Sequence, residues 1–530
     1  MVRRSKRVPS AADEYDVAIV GAGLAGLTLA LQLHQESPDT SIVVLERNDL
    51  PPPVAAHKIG ESTVEIGAHY LAHTLGLEDL LERTQLRKFG LRLFFGSGVH
   101  DDLSNADELG ASKLLPATSY QIDRGKLEGD LAAMLIERGV AVRDGCVVKE
   151  VSLSSNGSGH QVHARRNGQA VTVQCRWLID AASRAAILKR KLGINKRCNH
   201  RMESVWLRLD QPISVDDWSG SRSWQARCNQ PRRLSTNHLM GSGYWAWIIP
   251  LAGDKTSVGL VADPDTHPLS SFNSFDKFSS WLSQHQPALA SEVMDARDTL
   301  MDFKFRKNLS QDSERVWSTD RWALTGESGL FTDPFYSPGS DLIAISNTFV
   351  CDLIKRERNK SRFALHTAVY EQMYQSFYAI IMTLYEQQYS GFGDTRLMVV
   401  KTTWDYAYYW SVLTWLFFRE LMTDIEFLRS IQMKMLELRE LNEKMQARFR
   451  SRASERREDE GSGRFFDQTA IPVLYDLNAA LLQPSGSPEK EFSENAERLE
   501  RLAPALTALL EETSTVDSCG LLGDLRQRFH

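Results

Sequence analysis

Gly21, Gly23 and Gly26 stand in the hexapeptide Gly-Ala-Gly-Leu-Ala-Gly, and Glu46 follows 20 residues after the last of them. Glycine at the first position permits a tight turn, at the second lets the backbone approach a pyrophosphate, and at the third lets a helix pack closely on the preceding strand. A carboxylate at that distance reaches ribose hydroxyls, and suits a ribose better than a 2'-phosphate. The chemistry is dinucleotide binding, with phosphates at a helix N-terminus. Other chemistries lack their residues. The thirteen histidines form no HExxH or paired-ligand spacing, so no metal site is expected. No GxSxG elbow points to hydrolysis. The six cysteines (Cys146, Cys175, Cys198, Cys228, Cys351, Cys519) are scattered with no CxxC pair, which fits a reducing, cytoplasmic setting. A net charge of -6 gives no electrostatic case for nucleic acid.

The elements that must carry the glycine turn are a strand, a helix and a second strand, and Tyr15 to Arg47 reads as that unit. Tyr120 to Arg138 has helical periodicity through Leu127, Leu131 and Leu135, with Gly139 as a stop. Strands are expected at Cys146–Leu153, Gln161–Arg165 and Val171–Ile179, with Asn156-Gly157 and Asn167-Gly168 as hairpin turns. Glu203–Asp210, Gly243–Pro250 and Ser257–Ala262 are further strands, able to form a second sheet as one wall of a substrate pocket. The fold class is therefore α/β: a Rossmann-type dinucleotide-binding domain with a β-meander, an inserted second β-sheet substrate domain, and a helical C-terminal region.

The expected boundaries are a mobile tail over 1–14, a nucleotide-binding module over 15–365 with substrate-sheet segments near 90–120 and 200–300, and a helical region over 366–530. Charged and Gly/Ser- or Pro-containing stretches at 451–464 and 483–490 read as linkers. A final helix is expected around Ser493–Glu512. The basic N-terminus has no apolar h-region, so it is not a secretory signal. No charge-free apolar run reaches 18 residues. The aromatic run Tyr406–Phe418 reads first as a buried helix; lining an apolar substrate's pocket and resting peripherally on a membrane are the other readings.

The glycine turn, the strand end Ile179-Asp180-Ala-Ala-Ser-Arg184 and the stretch Gly326-Glu327 to Asp333-Pro334 together resemble the three FAD contacts of glutathione-reductase-type flavoproteins, aromatic hydroxylases included. FAD is the cofactor this implies, with Arg47 beside Glu46 and Asp180 among its contacts. Glu327 stands where that family usually has aspartate. Arg124 resembles an arginine that FAD hydroxylases place near the cofactor; a surface salt bridge is the other reading. With one nucleotide turn visible, a separate flavin reductase is expected to supply electrons.

Within that group, Trp245-Ala-Trp247-Ile-Ile-Pro250 resembles the WxWxIP signature of flavin-dependent halogenases. Two indoles can fill a channel and exclude water and substrate. Gly60-Glu61-Ser62 resembles the segment that closes over the isoalloxazine. Lys88 matches, by order and spacing, the lysine that receives hypohalous acid and presents electrophilic halogen; Lys58, next to the Gly-Glu-Ser segment, is the competing amine. Ser337-Pro338-Gly339-Ser340 resembles the loop that places halide against backbone N–H groups. Pro338 has no N–H, leaving Ser337, Gly339 and Ser340 as donors. The glutamate that tryptophan halogenases use as a base near this loop is absent, since Tyr336 precedes Ser337, so free tryptophan is not the expected substrate.

The resemblance implies a mechanism. Reduced FAD takes up oxygen to give a hydroperoxide, halide attack yields hypohalous acid, and the oxidant passes Trp245 and Trp247 to Lys88, which directs it to an electron-rich aromatic, pyrrolic or enol-like carbon on a free or carrier-bound substrate. The alternatives are a flavin monooxygenase or C=C reductase on the same fold, and a non-catalytic flavin-binding protein.

Overall fold

The computed structural model describes residues 13–511 apart from 54, 56–57 and 156–158. Its first sheet is built around Asp13–Val20, which pairs in parallel with Ile42–Leu45 on one side and with Gln169–Asp180 on the other. Ala141–Arg143 extends the sheet beyond Ile42–Leu45, and Trp322–Leu324 extends it beyond Gln169–Asp180, both in parallel. Ile42–Leu45 is wholly buried, as a parallel strand covered on both faces must be. The meander Cys146–Ser152, His160–Arg166 and Gln169–Asp180 hangs from the same sheet. Asn167 and Gly168 turn it with φ of 49° and 79°, the left-handed pair that a two-residue hairpin requires. The other expected turn, Asn156-Gly157, lies outside the described residues, as does Cys519. So does the expected tail as far as residue 12, while Asp13 and Glu14 already belong to the first strand.

The second sheet has eight strands in the order Leu300–Arg306, Glu203–Leu209, Lys255–Ala262, Tyr244–Leu251, Thr236–Gly241, Leu91–Phe95, Asp107–Gly110 and Phe465–Asp467. The α/β architecture read from the sequence is present, with helices Gly339–Arg358, Phe363–Thr383, Thr395–Tyr409 and Pro488–Glu511 after it. Tyr406–Phe418 is interior: Trp410, Trp415 and Leu416 are buried, and Trp415 donates to Glu491 in the last helix. That run offers no apolar face to a membrane. No described helix is long and apolar enough to cross one.

The C-terminal region is not wholly helical, and 451–464 is not a free linker. Phe465–Asp467 adds an edge strand parallel to Asp107–Gly110. The preceding segment is pinned before it arrives: Asp459 accepts from the Thr395 N–H, and Arg464 pairs with buried Asp107. Two of the charges of this stretch, Asp459 and Arg464, thus fasten it, while Glu455 to Glu458 are exposed.

A buried triad holds the same side of the sheet. Glu108 lies between Arg92 and Arg232, all three at most 1% exposed, and Arg232 also covers the Trp224 ring at 3.6 Å. Removing one partner of such a cluster leaves uncompensated buried charge. Glu108→Ala is expected to destabilise the chain by about 3–5 kcal/mol, read as a fall in the urea midpoint without a change in slope.

Candidate functional site

A cavity of about 1040 Å³ runs between the two sheets, lined at one end by Gly23, Leu24 and Arg47 and at the other by Trp245, Trp247 and Ser340. The three glycines differ in what they do. Gly21 has φ of 112°, and a Cβ there would lie 2.4 Å from the Ala181 carbonyl oxygen. A Cβ on Gly26 would meet the Gly21 carbonyl at 2.1 Å, whereas one on Gly23 would meet nothing. Gly23 thus presents bare backbone to the cavity, as close approach of a pyrophosphate demands.

Glu46 does not line the cavity. Its carboxylate accepts from the Ala22 N–H and from Asn48, bracing the turn. Asp180, expected against the cofactor, also turns inward: it accepts from the N–H groups of Ala182 and Leu188 and from the Ser328 hydroxyl, tying the strand end to the Gly326–Ser328 turn. Glu327 on that turn does line the cavity and pairs with Ser183 and Arg184, so two of the sequence motifs meet. Arg47, Lys58 and Arg124 bring positive charge to the mouth. Lys58 pairs with buried Glu128 at 2.9 Å, which also holds Arg124 and accepts from the Leu24 N–H. Lys58 is thereby committed to the nucleotide end. A long groove with bare backbone and cations at one end and aromatic walls at the other fits a dinucleotide with a fused-ring head, and FAD is such a molecule.

The Gly60-Glu61-Ser62 segment lines the cavity and also reaches behind it. Glu61 is buried against Arg208. The Ser62 hydroxyl meets Thr236 at 2.8 Å and accepts from the Lys88 Nζ at 2.9 Å; Lys88 also donates to the Thr63 carbonyl. Lys88 therefore sits one hydroxyl beyond the cavity, in a separate small hollow. Burial lowers its pKa to about 7, partly offset by the negative charges of Glu65 and Asp341.

Trp245 and Trp247 project from the same face of Tyr244–Leu251, two residues apart, with ring centroids 5.5 Å from each other. Each indole N–H is anchored: Trp247 to Ser257, and Trp245 to the Tyr389 hydroxyl at 2.9 Å. Tyr389 in turn donates to Asp333 at 2.6 Å, and Asp333 also meets His200 at 2.7 Å. Asp333 and Pro334 line the cavity, so one chain of hydrogen bonds ties the tryptophan wall to this loop.

Tyr336 and Ser337 adopt φ of 68° and 61°, strained for residues other than glycine. Interior groups hold them there: the Tyr336 hydroxyl donates to Asp405 at 3.0 Å, and Asp405 pairs with fully buried Lys401. Pro338 is the N-cap of the helix Gly339–Arg358, where a missing N–H removes no helical bond. Gly339 and Ser340 open that helix, and with Ser337 they line the cavity.

Sequence reasoning did not single out Glu65, Asp341, Tyr389 or His238. Asp341 follows Ser340 directly; its Oδ1 accepts from the Gly67 N–H at 2.8 Å and its Oδ2 from the Tyr409 hydroxyl at 2.6 Å. His238 lines the cavity, and burial together with Lys88 drives its pKa to about 3, so it is neutral. No group of three or more metal-ligating side chains occurs among the described residues. An amine with a depressed pKa is neutral above its midpoint, so Lys88 should be half deprotonated near pH 7. NMR titration of 13Cε-labelled lysine, with Lys88 assigned through Lys88→Arg, is expected to show the Lys88 signal titrating near pH 7 and that of Lys189, which burial lowers, near 8.

Residues 14–235 match the FAD binding domain family. The flavin-dependent halogenase chlA of Dictyostelium discoideum is 27% identical over 433 residues, spanning 76% of this chain and 70% of that protein. A 1H-pyrrole-2-carbonyl-(peptidyl-carrier protein) chlorinase of Pseudomonas fluorescens is 22% identical, over 69% of this chain and 83% of its own. The halogenase PltM, solved with phloroglucinol and FAD, shares the fold with a TM-score of 0.64 at 16% identity, over 93% of this chain and 96% of that one. The FAD-type cavity, the paired tryptophans and these relatives agree: the chain is an FAD-dependent oxidoreductase similar to the flavin-dependent halogenases.

Proposed function

We propose that the protein halogenates an electron-rich carbon, aromatic, pyrrolic or enol-like, with Lys88 delivering the halogen. The observation that carries this reading is the shared Ser62 hydroxyl. Ser62 lines the FAD-type cavity and accepts from Lys88, so an oxidant made in the cavity has one side chain to pass before it meets the amine. Reduced FAD, when bound, supplies the oxygen activation that turns halide into hypohalous acid. Gly23, Arg47, Lys58 and Arg124 would hold its nucleotide end, and Gly60, Ser62 and Pro334 would lie along its ring end.

The remaining work falls to this chain's residues. The N–H groups of Gly339 and Ser340, free of helical acceptors, would hold halide, with Ser337 beside them. Trp245 and Trp247 exclude bulk water and keep an organic substrate out of the cavity. Neutral His238 adds no competing cation next to Lys88. Lys88 hydrogen-bonds the hypohalous acid and orients it. A separate flavin reductase would supply reduced FAD, since one dinucleotide turn serves the cavity. The relative that acts on a pyrrole carried by a peptidyl-carrier protein makes both free and carrier-bound substrates reasonable here.

The test supplies the purified protein with enzymatically reduced FAD, oxygen and chloride or bromide, and follows phenol, indole and pyrrole probes by mass. A halide-dependent mass shift is expected, falling by about 100-fold or more in Lys88→Ala while FAD binding persists. Oxygen addition in place of halogen would move the reaction to monooxygenation.

A further inference from the structure

Between Asp180 and Glu203 the sequence places seven lysines and arginines and no acid, in a chain whose net charge is -6. The fold sets this run against the segment 308–312. Arg184 donates to the Asn308 carbonyl at 3.0 Å and to that of Leu309, and Lys189 donates to the Asp312 carbonyl at 3.2 Å, which fastens the segment. Lys196, Arg197 and Arg201 of the same run line a cavity of about 340 Å³ that residues of 308–312 close from the other side. Neither FAD binding nor halogenation, as derived above, uses this cavity.

We propose that it is a second ligand site, one that takes a phosphate group, and that its occupant tightens the binding of FAD. Apart from Cys198 every lining residue is polar, so the ligand is hydrophilic. Lys196 is taken by the Asp312 carboxylate at 3.1 Å, whose other oxygen accepts from the Ser313 N–H at 2.7 Å. The exposed guanidiniums of Arg197 and Arg201 then have no acidic partner among the described residues. A phosphate carries close to about two negative charges on one group at neutral pH, and guanidinium N–H pairs match its oxygens. Ser310 also lines the cavity; it is 3% exposed and its hydroxyl has no hydrogen-bond partner among the described residues, a donor left for a ligand oxygen. The volume leaves room beyond the phosphate for a small polar body, whose hydroxyls the Asn195 and Asn308 amides suit.

The coupling to FAD follows from a shared wall. Gln311 lines this cavity and exchanges backbone hydrogen bonds of 2.7 and 3.0 Å with Phe331. Buried His200 lines it too, and meets Asp333 at 2.7 Å. Phe331 and Asp333 line the FAD-type cavity. An occupant that fixes 308–312 and His200 therefore fixes residues on the flavin side, and each ligand raises the other's affinity by the same factor. No bond is made or broken, and the site stands independently of halogenation.

The test titrates FAD-loaded protein by calorimetry with glycerol 3-phosphate and with inorganic phosphate, at constant ionic strength, with glycerol and succinate as controls. Loading with FAD fills the pyrophosphate-binding backbone, so that added phosphate reads this cavity. One saturable site per chain is expected, weakened about 10-fold by Arg197→Ala and by Arg201→Ala, both exposed positions, with glycerol not binding. Tighter binding of the ester than of inorganic phosphate identifies an organic phosphate as the occupant, and equal binding identifies free phosphate; either supports the site. Saturating ligand should also lower the dissociation constant of FAD by about 5-fold, read by flavin fluorescence on the apoprotein, and this effect should vanish in the Arg197→Ala/Arg201→Ala double variant. Absence of saturable binding, binding that survives the double variant, or succinate binding as tightly as phosphate overturns the site. An FAD affinity that the ligand leaves unchanged or weakens overturns the coupling.

Discussion

The close approach of two helix starts is the constraint on which the rest depends. A Cβ on Gly67 would lie 2.2 Å from the Ser340 Oγ, and the Gly67 N–H donates to Asp341. Glu65–His69 and Gly339–Arg358 therefore meet with only a glycine between them. On the cavity side of that contact stand the N–H groups of Gly339 and Ser340; behind it lie Glu65 and Lys88. A larger residue at 67 would spread the two helices and part the chambers.

The helical region after residue 363 supports that contact from behind. Tyr409 reaches Asp341, Tyr389 joins Trp245 to Asp333, and Asp405 with Lys401 holds Tyr336 in its left-handed conformation. Buried ion pairs are weak evidence for stability but costly to break. Here the Lys401–Asp405 pair holds Tyr336, whose neighbour Ser337 lines the cavity. Strain at Tyr336 and Ser337 is retained because interior partners over-determine it. The region is thus part of the site rather than an appendage, and its strand Phe465–Asp467 completes the second sheet.

Much of this was legible in the residues, because the signals are local. The glycine turn needs only six positions, the tryptophans at 245 and 247 share a strand face by simple alternation, and Lys88 was preferred over Lys58. The structure adds a reason for that preference: Lys58 is held at the nucleotide end by Glu128. What was not legible depends on pairing over long separations. Glu46 and Asp180 have the right residue type at the right spacing, but that they also accept from nearby backbone N–H groups shows only in the fold. Pro338 looked like a lost donor, and its position as a helix cap removes the penalty. Segment 451–464 has a linker's composition, but Asp107 holds its Arg464 and the Thr395 N–H its Asp459. Glu65 is three residues from a recognised motif, and only the fold brings it beside Lys88.

The central claim is that oxidant made in the cavity crosses to Lys88 rather than escaping to solvent. The direct measurement is a single turnover with reduced FAD, oxygen and bromide but no organic substrate, followed by rapid desalting and titration of oxidising equivalents with 2-nitro-5-thiobenzoate. The account predicts that oxidising equivalents stay with the protein and are lost in Lys88→Ala. Equivalents found only in the small-molecule fraction, or retained equally by the variant, would contradict it.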